Sequence, residues 1–391
     1  MSVAEVIAQA LLDAGVKVIT YVPGYGGSDI FRVLESKVND TLFISFHEEP
    51  AYTIALGAAL TGKRSVSLFK THGIMKAGNA VSDSLFAGTT AGFVTIITED
   101  QGGTHSDSII EARPFLEGIG MPYLVSTPGR IYEDIFRAYA MSEHDRLPYA
   151  LVINADDVKG VVSPANPPGG CPADWPEPPS YSRNVQQHVM APLFNPYQRK
   201  VYEAKRNNLN WKSIPIPPLP PIPESTPPNW KKIVEIYVPL FRIFKKYRGD
   251  IVTGDTGVSS QFSSEPWNCI DIVTYMGGSI PLAIGAKLAG FRDVWAITGD
   301  FSFISAGPLG LLEAYLRKIP LKILILYNGR ASTTGGQTIP AGALEKVLSG
   351  YKEMTRWVND PNDTGDLEKV LKEMADNPAM QIVILDYRKL F

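Results

Sequence analysis

More than half of the chain's 31 prolines fall between Pro164 and Pro228. Proline fixes φ and removes a backbone donor. Stretches such as SPANPPGGCPADWPEPPS and SIPIPPLPPIPESTPPNW therefore cannot be helix interiors or central strands. They predict an extended, partly polyproline-II linker over residues 165–230, with one short helix in NPYQRKVYEAKRNNLNW. The cores must be built on either side of it. At roughly 100–200 residues per domain, the flanks 1–164 and 231–391 are each one domain in size.

Each flank alternates strand and helix signals. VKVITYV, LFISF, SVSLF, FVTIIT, YLVS and YALVIN in the first flank are short apolar runs rich in β-branched residues. Helical patterns such as EPAYTIALGAAL and GRIYEDIFRAYAMSE separate some of them. In the second flank DIVTG, DVWAIT, LKILILY and MQIVILD alternate with SIPLAIGAKLAG, AGPLGLLEAYLRK and DLEKVLKEMADN. The expected fold is α/β, with two doubly wound parallel sheets joined by the linker. Ligands of such sheets bind beyond the carboxyl ends of the strands.

Bulk properties exclude several classes. A net charge of -3 gives no electrostatic case for nucleic acid or an acidic membrane. No apolar run approaches the roughly 18–20 residues of a membrane span. The N-terminal MSVAEVIAQALLDAG reads as an amphipathic helix rather than an export signal, so a cytoplasmic protein is expected. Two cysteines, Cys171 and Cys269, are too few for an ordinary four-cysteine cluster. They read as reduced thiols, with one disulfide as the alternative.

The chemistry concentrates at strand ends of the second flank. Asp300 follows VWAITG and Asn328 follows LKILILY. A right-handed crossover through AGPLGLLEAYLRKI makes these strands neighbours. One carboxylate, one amide oxygen and a backbone carbonyl beyond Asn328 suit Mg²⁺ holding a diphosphate. A helix N-terminus after Gly307 would add amide donors. Seen singly, Gly299-Asp300 and Asn328 are also what ordinary turns look like. GAALTGKRS, 57–65, nearly spells a phosphate loop, but Arg64 stands where Ser or Thr is needed and the order is helix to strand.

GDFSFISAGPLGLLEAYLRKIPLKILILYN resembles the cofactor motif of the thiamine diphosphate (ThDP) enzymes, which opens on Gly-Asp and closes on Asn. The resemblance implies Asp300, Asn328 and the carbonyl of Arg330 as Mg²⁺ ligands, and Gly299, Phe301 and Ser302 beside the diphosphate. Phe301 departs from the common Gly-Asp-Gly. YMGGSIPLAIGAKLAG resembles the aminopyrimidine-binding segment. It puts Met276 under the thiazolium, with the Thr274 carbonyl at the pyrimidine; ordinary core packing of Met276 is the alternative. HEEPAYTIALGAAL is similar to the family's glutamate segment, and counting back from Gly57 selects Glu48 over Glu49 as the acid at the pyrimidine. A plain dipole role for both glutamates is the other reading.

The match is nearest to the catalytic subunit of indolepyruvate ferredoxin oxidoreductase and related 2-oxoacid oxidoreductases. VPGYGGSDIF, with Pro23 and Gly24, resembles their first glycine turn, and GDTGVSSQF, with Gly254 and Asp255, their opening cofactor loop. EDQGGTHSDS is similar to their substrate-side loop and STTGGQ to the loop after the metal asparagine. His47, His72 and His105 stand near strand ends of the first flank, where surface or interdomain contacts are the alternative; the matching family loop favours His105. The implied roles are catalytic for Glu48, His72 and His105. The implied activity is 2-oxoacid decarboxylation with ThDP and Mg²⁺. An oxidative outcome requires coenzyme A and a partner subunit with iron–sulfur clusters, because QIVILDYRKLF reads as the last strand and leaves no cluster domain. A non-oxidative decarboxylase of the phosphonopyruvate or sulfopyruvate type and a non-catalytic ThDP-binding assembly subunit are the rival readings. A homodimer or hetero-oligomer is expected.

Overall fold

The computed structural model describes residues 1–38, 41–162 and 171–391. They form two compact units, Met1–Ser182 and Arg183–Phe391. The first is built on strands β1 (Val18–Tyr21), β2 (Ser65–Lys70), β3 (Phe93–Glu99), β4 (Tyr123–Val125) and β5 (Tyr149–Asn154), in the order β1-β2-β3-β5-β4. The second has β6 (Ile251–Asp255), β7 (Ile272–Thr274), β8 (Val294–Gly299), β9 (Lys322–Tyr327), β10 (Thr355–Val358) and β11 (Gln381–Asp386), in the order β10-β11-β9-β8-β6-β7. Every strand pairing is parallel. The alternation read from the sequence thus gives two parallel α/β sheets. The central strands are buried along their whole length, β3 and β9 at every residue, which is why they read as continuous apolar runs.

Three readings are corrected by the fold. LFISF forms no strand, although Ser45 N–H donates to the Tyr21 carbonyl of β1 at 2.8 Å. Strand composition is a context-dependent signal and does not by itself make a ladder. β7 and β10, three and four residues long, carry too little pattern to be seen in the sequence. The helix that follows β8 begins at Asp300, not after Gly307, and runs to Leu316 with Pro308 inside it. Gly307 is glycine because a Cβ there would stand 2.6 Å from Phe303 Cδ2. A Cβ on Gly277 would stand 2.6 Å from Ala306 Cβ and 2.7 Å from Gly307 N, so two backbones approach closely there.

The helix Glu48–Leu60 is buried from Pro50 to Leu60 on every side. Its alanines and Gly57 let it lie inside the first unit, as expected of a helix apolar all round. It ends four residues before Arg64, the residue that spoiled the phosphate-loop pattern. Arg64 is 2% exposed. Its guanidinium meets Glu143 in two bonds of 2.8 and 2.9 Å, the Ala14 carbonyl at 2.8 Å and the Pro176 carbonyl at 2.6 Å. It also lies 4.6 Å over the Trp175 ring, whose Nε1 donates to the same Ala14 carbonyl. One arginine thereby fastens the strand β2, the helix bearing Glu143 and part of the proline-rich stretch.

That stretch is divided between the units. Its first part, 163–170, lies outside the described residues, so the proposed start of a linker at 165 lies there too. Residues 171–182 pack with the first unit and 183–230 with the second. In the second, Arg183 pairs with Asp271, Val189 bridges Val273, and Trp267 Nε1 donates to the Ile222 carbonyl. The helix expected between the proline clusters spans Asn195–Arg206. Cys171 and Cys269 are both free thiols. Among the described residues no helix is long and apolar enough to cross a membrane.

Removing one partner of a buried ion pair leaves the other charge uncompensated, at a cost of about 3–5 kcal/mol. Arg64→Ala is expected to lower the stability of the first unit by that order in urea unfolding. A loss below about 1 kcal/mol, the range of exposed pairs, would show that this junction does not hold the unit together.

Candidate active site

Two clusters stand at the carboxyl ends of the strands, one in each unit. In the second unit β8 hands over directly to the helix Asp300–Leu316, and Gly299 is its N-cap residue. Asp300 is 1% exposed. One carboxylate oxygen accepts from Phe301 N at 2.8 Å; the other accepts from Asn328 N at 3.0 Å and Gly329 N at 2.6 Å. The ends of β8 and β9 are therefore joined through this one side chain. Gly329 sits at φ +74°, the left-handed region that turns its N–H toward Asp300.

Burial nonetheless pushes the Asp300 carboxyl up to about 6, outweighing the three backbone donors. An ionised carboxylate has about four lone-pair sites; three donors leave room for a cation, and a cation would reverse the effect of burial. Asn328 is oriented on two sides. Its Nδ2 donates to Tyr237 Oη at 3.2 Å and its Oδ1 accepts from Arg330 N at 3.0 Å. The Arg330 carbonyl accepts from Ser332 N at 2.9 Å. The donor set is thus oxygen throughout: Asp300 carboxylate, Asn328 amide and Arg330 carbonyl. That is the chemistry of Mg²⁺ rather than of a softer metal.

A cavity adjoins these groups and is lined by Met276, Phe301 and Ser302, by the β6 end at Asp255, and by Thr256–Ser259 and Ser332–Thr334. The first-turn amides of the helix at Asp300 have no intrahelical acceptor and favour an anion at this end. Met276 is 41% exposed and Phe301 44%, so neither is a core residue. Gly277, pressed against the same helix, fixes the position of Met276 next to it. The Thr274 carbonyl accepts from Thr256 N at 2.8 Å, which uses one of its two lone pairs. These residues fit a metal-bound diphosphate with a bulky thioether beside it.

Glu48 and Glu49 open the buried helix of the first unit, capped by His47 Nδ1, which accepts from Glu49 N at 3.2 Å. The two glutamates differ. Burial raises the Glu49 carboxyl while a hydrogen bond with Asn79 opposes the rise. Glu48 Oε2 is buried with no hydrogen-bond partner; Lys76 Nζ lies 3.2 Å away as an ion pair not aligned for a hydrogen bond. Glu48 is therefore the carboxyl with an open position. Gly73 clears space for it: a Cβ there would stand 2.9 Å from Glu48 Cγ.

His72 lies on the short helix Thr71–Lys76 after β2, with Nε2 2.9 Å from Ser108 Oγ. His105 lies in the loop after β3. Its ring is 4.0 Å from that of Tyr25, and its carbonyl accepts from Lys70 Nζ at 2.7 Å. Asp100 gathers the same loop through Thr104 N, His105 N and Ser106 Oγ; the Ser106 bond, before the others, holds its carboxyl below the usual range. Gly24, in the turn after β1, donates to Tyr21 Oη at 3.3 Å; next to it, Pro23 leads out of β1. These loops all leave carboxyl ends of β1, β2 and β3.

The sequence reading passed over Tyr237 and Lys76. Tyr237 is 1% exposed in the helix Pro228–Phe244, packed edge-on to Tyr387. Nothing in an apolar helical pattern distinguishes a tyrosine whose hydroxyl serves a site from one that fills a core.

Asp255 is 1% exposed and spends both oxygens internally, on Ser279 N at 2.8 Å and on the Thr298 hydroxyl. It binds β6 to β8 and to the helix Ser279–Leu288. Desolvation raises its carboxyl from 3.8 to about 6. A raised folded value means the folded state holds the proton more tightly. The resulting stability is fully present below pH 3.8 and is lost as pH rises through about 6. The expected loss is on the order of 3 kcal/mol. Asp255→Asn keeps an oxygen for Ser279 and should remove this part of the pH dependence in urea unfolding. Identical pH slopes in both proteins would contradict the account.

The comparisons agree with the geometry. Residues 253–381 match the family described as thiamine pyrophosphate enzyme, C-terminal TPP binding domain. The chain is similar to indolepyruvate oxidoreductase subunit IorA of Archaeoglobus fulgidus, 31% identical over 109 residues, which are 26% of this chain and 17% of that one. Against the same subunit of Methanothermobacter marburgensis it is 29% identical over 165 residues, 40% of this chain and 26% of the relative. The matched regions thus span about a quarter or less of these relatives' length. The fold is similar to that of the thiamine diphosphate-dependent 4-hydroxybenzoylformate decarboxylase of Rhodococcus jostii RHA1, with a TM-score of 0.66, 15% identity and 99% of both chains covered. Residues 253–381, within the second unit, thus carry the C-terminal cofactor-binding domain of the thiamine pyrophosphate enzymes, and the chain as a whole is similar in fold to thiamine diphosphate-dependent enzymes.

Proposed function

We propose that the chain decarboxylates a 2-oxoacid with ThDP and Mg²⁺, as the catalytic subunit of an indolepyruvate-type oxidoreductase whose partner holds iron–sulfur clusters. The observation that carries this reading is the oxygen donor set of Asp300, Asn328 and Arg330 at a helix N-terminus. The similarity to indolepyruvate oxidoreductase subunits supports the oxidative form. In this reading residues 1–164 bind the pyrimidine and 231–391 the diphosphate. In this reading the protein is a homodimer or a hetero-oligomer.

When bound, ThDP supplies the electron sink for the carbon–carbon bond that breaks. The chain supplies the rest. Asp300 and Asn328 hold the metal, and the first-turn amides near Phe301 and Ser302 hold the phosphates. Gly24 and Gly254, the latter within β6, would border the cofactor. Met276 would support it, and the Thr274 carbonyl would be the acceptor for its amino group. Glu48 holds a proton at the pyrimidine nitrogen, a role open to it because Oε2 lacks an internal donor. His72 and His105 move protons on the substrate side.

A second reading, non-oxidative decarboxylation, is supported by the end-to-end similarity in fold to benzoylformate decarboxylases. Purified chain with ThDP and Mg²⁺, given indolepyruvate or benzoylformate, separates the two. Dye reduction that needs coenzyme A and a cluster-bearing subunit supports the oxidoreductase; aldehyde release without an acceptor supports the decarboxylase. Turnover of neither kind contradicts both. In the same preparation Glu48→Gln should still bind ThDP but slow hydrogen–deuterium exchange at the thiazolium carbon by at least about 100-fold. Exchange at the wild-type rate removes Glu48 from this role.

A further inference from the structure

Four arginines withdrawn from solvent pair with carboxylates: Arg64 meets Glu143, Arg183 and Arg248 meet Asp271, and Arg317 meets Glu313. Arg330 does not. Its Nε is buried without a hydrogen-bond partner, and its guanidinium makes no ion pair among the described residues. A charged donor left in this condition is costly unless something outside the chain completes it.

The surroundings indicate what that partner is. Arg330 is the one basic side chain among the described residues lining the cavity at Asp300. The two acids of that cavity are engaged elsewhere: Asp255 with Ser279 and Thr298, Asp300 with three backbone amides. Neither neutralises the guanidinium. Its main chain is pinned on both sides, by Asn328 Oδ1 at Arg330 N and by the antiparallel bridge to Thr338. Hydroxyls of Ser302, Ser332 and Thr334 line the same space. A guanidinium carried on a pinned main chain at a cavity lined by hydroxyl residues and a helix N-terminus is a receptor for an oxyanion, which arginine engages through two parallel N–H bonds.

We propose that the Arg330 side chain, in addition to its backbone carbonyl, binds the terminal phosphate of the diphosphate held in this cavity. The inference rests on the function proposed above. It gives the loop after β9 two separate tasks, a carbonyl for the cation and a guanidinium for the anion that the cation holds.

Calorimetric titration tests it, with Mg²⁺ present and ThDP, thiamine monophosphate and inorganic pyrophosphate as ligands. Arg330→Met should weaken ThDP and pyrophosphate at least tenfold and leave thiamine monophosphate, which lacks the terminal phosphate, nearly unchanged. Arg330→Lys should restore part of the loss. Equal weakening of ThDP and the monophosphate would mean that the residue only supports the loop, and unchanged ThDP affinity would mean that the side chain is idle; either result overturns the proposal. Failure of the wild-type chain itself to bind ThDP would instead overturn the function on which it rests. The melting temperature of each variant confirms that the folded protein is being titrated.

Discussion

The acceptance of Asn328 and Gly329 amides by the Asp300 carboxylate is the interaction on which the candidate site depends. It closes the ends of β8 and β9 upon each other and starts the helix from Asp300 with its amides at the same place. The cost is a carboxyl withdrawn from water, raised to about 6 despite three donors. A divalent cation against that carboxylate offsets the burial. The arrangement thus explains why an acid is retained where a neutral turn residue would fold more easily.

The first unit shows the same trade in another form. A helix apolar on all sides carries Glu48 to the end of the sheet and leaves Oε2 without a hydrogen-bond partner, while the adjacent Glu49 is satisfied by Asn79. Far from that point, Arg64 ties Glu143, Ala14 and Pro176 together. Arg64 and its partners hold the unit, and Glu48 Oε2 stands unpaired at the carboxyl end of the sheet.

Much of this was legible because parallel sheets write themselves as uninterrupted apolar runs. LKILILY and DVWAIT were read as strands because both faces of β8 and β9 are covered. The placement of Asp300 and Asn328 followed from those strands, since residues just past them must meet at one edge. Less was legible where tertiary contact decides. Pro308 after Gly307 imitates a helix start, yet the Phe303 ring, 2.6 Å from where a Cβ at 307 would stand, explains that glycine, and the helix begins earlier. LFISF has strand composition but forms no strand. Tyr237 orients Asn328 from a helix far away in sequence, and no spacing rule connects the two.

The account stands on the metal-dependent cofactor cavity, and one titration examines it directly. ThDP binding is measured by calorimetry with and without Mg²⁺, in the wild-type chain and in Asp300→Ala. The account predicts tight binding by the wild type only when Mg²⁺ is present, and loss of that metal-dependent gain in the variant. Equal ThDP affinity with and without the metal, or an Asp300→Ala variant that keeps the gain, would contradict it.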